Sequence, residues 1–172
     1  IQDFLASLGM AGTGVLAGRG GDLEEAMRAS PNLRVVFLET PANPTMMMTD
    51  IRRAAESAAA HPNRPLVMVD NTFLGPAFQH PLLLGADLVL YSATKYLSGF
   101  SDMLAGVALA RDPDLIDSMR KMRIVFGNIL QPDECWLLDK AACRRPTCET
   151  RRPATKRRLP TSRKNPSARM KI

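Results

Sequence analysis

Three short apolar runs, RVVFLE at 34–39, LVMVD at 66–70 and LVLYS at 88–92, constrain the fold of this chain more than any other feature. Each is short, carries β-branched or aromatic residues and is followed by turn-forming or polar residues, so each reads as a strand. None shows the strict alternation of a strand with one wet face. Continuous apolar strands are expected to be buried on both faces, and such strands separated by helices build a mostly parallel α/β sheet. The stretch joining the first two runs has the length of a βαβ crossover. A fourth strand is expected at 105–110.

The helices follow from capping and stop signals. One is expected over about 22–29, where Asp22 can cap and Glu25 sits three residues later, as in a capping box. A second is expected over 50–60, opened at Thr49 and Asp50 and stopped at His61. A third starts at Asp112-Pro113, proline being favoured in a first turn, and runs to about 125. A fourth covers 132–139. The opening IQDFLASL reads as the end of a helix stopped at Gly9, and TGVLA (13–17) as a short strand. Met46–Met48 reads as packing rather than a metal site, and Trp136 as a core or interface residue.

The net charge of +6 averages two unlike parts. Eleven of the 23 Lys and Arg, but only one of the 17 Asp and Glu, fall from Cys143 to Ile172, giving this segment +10 and the remainder −4. The segment lacks aliphatic periodicity and is rich in Arg, Lys, Pro, Ser and Thr, so it cannot bury enough apolar area to offset the entropy of ordering it. A tail over 141–172 is therefore expected to be disordered, or out-of-frame sequence joined to an α/β body over 1–140. Clustered bases suit nucleic acid or an anionic surface, but the tail has no aromatics for stacking, so nucleic acid is not the expected partner. No apolar run reaches the roughly 18 residues of a membrane helix. The opening residues do not read as a secretory signal. The three cysteines (135, 143 and 148) have neither zinc-site spacing nor the pattern of a disulfide framework, which points to a reducing, cytoplasmic setting. The first residue is Ile1 rather than Met, so the natural start is expected to lie elsewhere.

Chemistry concentrates just past three strand ends: Glu39-Thr40-Pro41-Ala42-Asn43-Pro44, Asp70-Asn71-Thr72 and Ser92-Ala93-Thr94-Lys95. In an open α/β sheet, ligands bind in the crevice outside the carboxyl ends of the strands. Asp70, a lone carboxylate ending an apolar strand, is placed to pair with a buried cation. Lys95, in a loop of small residues, can be desolvated so that its amine is neutral. The hydroxyls of Ser92 and Thr94 suit an oxyanion such as phosphate. Pyridoxal phosphate asks for all three: a lysine for its aldehyde, a carboxylate for its pyridinium nitrogen and donors for its phosphate. Simpler roles are open to each. Asp70 can cap a turn, Ser92 and Thr94 can be loop hydroxyls, and Asn43, between two prolines, can be a turn former.

The run from Asp87 to Asp102, DLVLYSATKYLSGFSD, resembles the signature of the Cys/Met metabolism family of PLP enzymes, which includes cystathionine γ-synthase, the cystathionine lyases and methionine γ-lyase. ETPANP (39–44) and VDNTF (69–73) resemble two further blocks of that family, in the same order and spacing, and the similarity extends over about 9–139. The resemblance implies part of the large PLP-binding domain of a fold-type I, aspartate aminotransferase-like enzyme. It implies Lys95 as the Schiff-base lysine and proton shuttle, and Asp70 as the carboxylate on the ring nitrogen. It further implies Ser92 and Thr94 on the phosphate, Asn43 near the 3-oxygen and Thr72 close by. The reaction implied is elimination or replacement at the β- or γ-carbon of a sulfur amino acid or activated homoserine. The implied partners are a small amino-acid substrate and further copies of the chain, as a dimer or tetramer.

Phe100 departs from the family pattern, which has His or Gln at that place. The blocks also match only the central part of a family chain. The phosphate-binding glycine loop, the ring-stacking aromatic and the Tyr/Arg pair given to the neighbouring subunit would precede it. The domain carrying the arginine for the substrate carboxylate would follow. The chain is thus expected to be a truncated enzyme. The alternatives are an inactive remnant, or a basic-tailed binder of nucleic acid or anionic surfaces.

Overall fold

A computed structural model describes residues 2–16, 18, 21–100 and 102–143; the basic segment from 144 onward lies outside them. Four strands form one sheet in the order β1 (Val35–Glu39), β2 (Leu66–Asp70), β3 (Leu88–Ser92), β4 (Gly106–Ala110). β1 to β3 are parallel and β4 runs antiparallel to β3, pairing Ser92 with Gly106 and Leu88 with Ala110. The expected mostly parallel α/β sheet is what forms.

The helices are α1 (Gln2–Ser7), α2 (Asp22–Arg28), α3 (Ile51–Ala60), the single turn α4 (Gly75–Phe78), α5 (Pro113–Phe126) and α6 (Pro132–Cys143). Asp50 caps α3 by accepting from Arg53 N at 3.1 Å, and Asp112 caps α5 by accepting from Asp114 N at 2.9 Å. Asp22, expected as a cap, is instead the first helical residue of α2: the cap position belongs to Gly21, whose φ of 98° puts it in the left-handed region. α6 continues past 139 to Cys143. TGVLA does not form a strand over its described residues 13–16, since no neighbour offers them a ladder.

One face of the sheet is well covered. Val36 and Leu38 of β1, Val67 and Val69 of β2 and Val89 of β3 form a core with Ile51, Ala54 and Ala58 of α3 and Met27 of α2. Fully burying one such aliphatic side chain contributes about 1.5–3 kcal/mol. Arg53 of α3 forms an ion pair with Glu24 of α2. Gly85, in the left-handed region at φ 102°, lets the chain pass α3 closely: a Cβ there would sit 2.8 Å from Ala55 Cβ.

The opposite face corrects the sequence reading. β1 and β2 are not buried on both faces, because Val35, Phe37 and Leu66 are 43%, 50% and 38% exposed. α5 packs against β4, while the β1 end of that face stays about half exposed. Met46, Met47 and Met48 are also exposed rather than packed, as is Trp136, whose ring instead carries Lys140 Nζ at 3.6 Å from its centroid. Trp136 is therefore not a core residue.

Candidate active site

The carboxyl ends of β1, β2 and β3 open on a cavity of about 920 Å³ that Asn43, Asp70, Thr72, Thr94 and Lys95 all line. Five of the six residues singled out from sequence thus meet in one place. Ser92 is not among the lining residues. It shares a sheet face with Asp70 and opens onto an adjoining groove of about 1050 Å³ beneath α5, which Asp70 also lines.

Each side chain is held by local backbone logic. β2 ends at Asp70, and the chain turns so that Thr72 N donates to Asp70 Oδ1 at 2.9 Å. Thr72 Oγ1 accepts from Ser92 N at 2.7 Å, stitching the end of β2 to the end of β3. After β1 the chain folds back over 39–49. Asn43 N donates to Glu39 Oε1 at 3.3 Å, Ala42 N to Met47 O at 2.9 Å, and Thr49 N to the buried Thr40 Oγ1 at 2.9 Å. The Thr40-Pro41 and Asn43-Pro44 peptide bonds are cis. This closed loop holds Asn43 at the cavity.

β3 leads into one wide turn, Ala93–Leu97, in which Ser98 N donates to Ala93 O at 2.8 Å across five residues. Wide turns of this kind are rare and frequent at functional sites. Lys95 interrupts it with φ −89° and ψ −113°. The turn is fastened to the start of β4: Ala105 N donates to Thr94 Oγ1 at 2.9 Å, and Thr94 N donates to Ala105 O at 3.2 Å. Lys95 itself is exposed, so the described residues do not supply the desolvation expected around its amine.

Sequence reading missed part of the lining. Glu39, Asp102 and Glu134 bring further carboxylates, and Phe73 and Tyr96 contribute rings packed edge to face with centroids 6.4 Å apart. Glu39, Phe73, Tyr96 and Asp102 sit inside the recognised blocks and could have been carried along with them. Glu134 comes from α6, and no local signal marks it. Phe100 is 67% exposed and is not a lining residue.

The cavity suits the ring end of the cofactor that the sequence points to. A carboxylate and a primary amine line one space, with an amide beside them. The fit at the phosphate end is looser. Thr94 Oγ1 already accepts from Ala105 N, but its own donation to Ala105 O spans 3.3 Å between oxygens, a long contact for a hydroxyl donor and one it can exchange for a phosphate oxygen.

Comparison with known proteins decides the family. The family model described as Cys/Met metabolism PLP-dependent enzyme matches residues 1–142. The chain belongs to that family. Cystathionine beta-lyase MetC of Bacillus subtilis (strain 168) is 45% identical over 115 residues, covering 67% of this chain and 29% of that protein. An L-methionine gamma-lyase of Pseudomonas deceptionensis is 47% identical over 120 residues, 68% of this chain and 29% of that protein. The crystal structure of apo CalE6, a methionine gamma lyase from Micromonospora echinospora, superposes with a TM-score of 0.77 at 34% identity, over 81% of this chain and 38% of that one. The fold is thus that of the PLP-dependent fold-type I lyases, and the chain spans 29% of the length of these curated relatives.

Proposed function

We propose that the chain is the central portion of a PLP-dependent trans-sulfuration enzyme, acting at the β- or γ-carbon of sulfur amino acids or activated homoserine. The observation that carries this reading is the convergence of Lys95 and Asp70 on one cavity at the carboxyl ends of the sheet. The names of the relatives, lyases and synthases of cystathionine and methionine, support the substrate class.

Bound there, the cofactor supplies an electron sink conjugated to the substrate's α-carbon. Lys95 holds the cofactor's aldehyde carbon through its Nζ. The same Nζ, on the cavity wall with Asp70, would serve as the group that takes a proton from the substrate and returns one. Asp70 keeps the ring nitrogen protonated, and Thr72 N, donating to Asp70 Oδ1, fixes the direction of that carboxylate. Asn43, lining the same cavity, would offer its amide to the 3-oxygen. Thr94, together with Ser92 from the adjoining groove, holds the phosphate. Homo-oligomerisation as a dimer or tetramer and a small amino-acid substrate belong to the same reading. No described helix is long and apolar enough to cross a membrane.

The test is direct. Purified chain is titrated with pyridoxal phosphate and visible absorbance is followed for wild type and Lys95→Ala. A bound-cofactor band in the wild type that disappears in the variant is expected. A wild type indistinguishable from Lys95→Ala would reject the assignment and favour an inactive remnant.

A further inference from the structure

Asn71, buried, and Gln79, half-buried, form a polar cluster that none of these roles uses. Asn71 lies between two cavity residues, and alternation along the strand turns its side chain away from Asp70 and Thr72, toward the covered face. It is 0% exposed. Its Nδ2 faces three acceptors, Gly75 O at 3.1 Å, Gln79 O at 3.0 Å and Tyr91 Oη at 3.1 Å, and its Oδ1 accepts from Gln79 Nε2 at 2.8 Å. Gln79 Nε2 also donates to Thr40 O at 3.1 Å. Thr40 directly follows β1, Asn71 directly follows β2, and Tyr91 is in β3. One pair of side-chain amides therefore joins the carboxyl ends of the three strands that build the cavity.

The backbone of Asn71 takes part too. Its N donates to Leu90 O at 2.9 Å, and its O accepts from Gly75 N at 2.9 Å. A buried polar group that loses a partner cannot turn to water, so the fully buried Asn71 amide is strongly tied to its half-buried partner Gln79. On the cavity side of the same short stretch lie the two bonds that aim Asp70: Thr72 N to Asp70 Oδ1, and Ser92 N to Thr72 Oγ1.

We propose that Asn71 and Gln79 are positioning residues, their amide pair clamping the 70–72 stretch against β1 and β3 so that the Asp70 carboxylate keeps its direction into the cavity. The clamp's functional meaning rests on the reading of Asp70 as the ring-nitrogen partner. Its geometry does not.

Two measurements on the full chain separate the clamp from that reading. The first is amide hydrogen exchange by NMR without cofactor, comparing wild type with Gln79→Leu, which removes the amide and keeps the bulk. Loss of one hydrogen-bonding partner of the buried Asn71 amide is expected to speed exchange at the Thr72 and Ser92 amides by about tenfold, with the strand-interior Val69 and Val89 amides unchanged. No change, or an equal rise at all four, would overturn the clamp. Tyr91→Phe, which deletes one oxygen and is the gentler variant if Gln79→Leu does not fold, is expected to speed the same two amides by a smaller factor, and silence there counts against the clamp in the same way. The second is cofactor titration. Gln79→Leu is expected to weaken pyridoxal phosphate binding about tenfold, but to add no further loss in an Asp70→Asn background, because coupled residues are not additive. Full additivity would mean the amides do not act through Asp70. If the wild type shows no Lys95-dependent band, the cofactor reading has failed, and the exchange rates still decide the clamp.

Discussion

The hydroxyl of Tyr91 lies 3.1 Å from Asn71 Nδ2, with its ring in the core. Burial pushes the phenol above its ordinary value of 10.0, and the Asn71 hydrogen bond opposes this more weakly. The folded chain therefore holds the phenolic proton more tightly than the unfolded chain does. The resulting stability is fully present below about pH 10 and is lost as pH climbs through the raised folded value, because above 10 the unfolded chain ionises first. Urea denaturation across alkaline pH should show wild-type stability falling more steeply above about pH 10 than that of Tyr91→Phe. Equal slopes would contradict this account. Residues such as Lys95 and Asp70 stood out in the sequence because Asp70 is a carboxylate ending an apolar run and Lys95 is the one cation in the three polar clusters past the strand ends. Asn71 and Gln79 were not. Asn71 is one polar residue among three, and Gln79 reaches it only because α4 turns the chain back. Strand alternation does separate Asn71 from its two neighbours, but it does not name its partners. Ser92 shows the opposite limit: alternation gives it the face of Asp70, yet which cavity it lines depends on where α5 lies.

Among the elements, the wide turn after β3 depends on Thr94. Its hydroxyl is the acceptor for Ala105 N, so the residue proposed for phosphate is also a structural clasp between the turn and β4. Thr94→Val keeps the shape and leaves that N–H without its partner, at an expected cost of roughly 1–3 kcal/mol. Chemical denaturation without cofactor should show this loss, and Thr94→Ser should recover most of it. A Thr94→Val chain as stable as wild type would leave phosphate binding as the hydroxyl's sole role. The strands themselves were readable from their apolar runs to within a residue or so. Their coverage was not, because an apolar residue records no information about which element lies over it. β1 looks like β3 in sequence, but its Val35 and Phe37 stay about half exposed.

For the whole molecule, the exposed apolar groups matter more than any single contact. Val35 and Phe37 on the sheet and Val125 and Phe126 at the end of α5 are between 43% and 78% exposed. β1 and β4 are also the outer strands of the described sheet, each with an unpaired edge. Surfaces of this kind drive self-association. Sedimentation velocity should show concentration-dependent assembly of the chain, reduced by Phe37→Lys and by Phe126→Lys. A single monomeric species at all concentrations would show that these groups are not sticky in solution. The reversal of β4 has a further consequence. Because β4 runs back along β3, residues 93–105 leave and re-enter the sheet at the same end, and Thr94 and Ala105 close the loop at its neck. Lys95 thus rides on a cassette anchored in the core by Leu97 and Met103, with Gly99, Asp102 and Leu104 carried to the same cavity wall. The neck clasp between Thr94 and Ala105 therefore sets where the lysine and these wall residues stand relative to the strand ends.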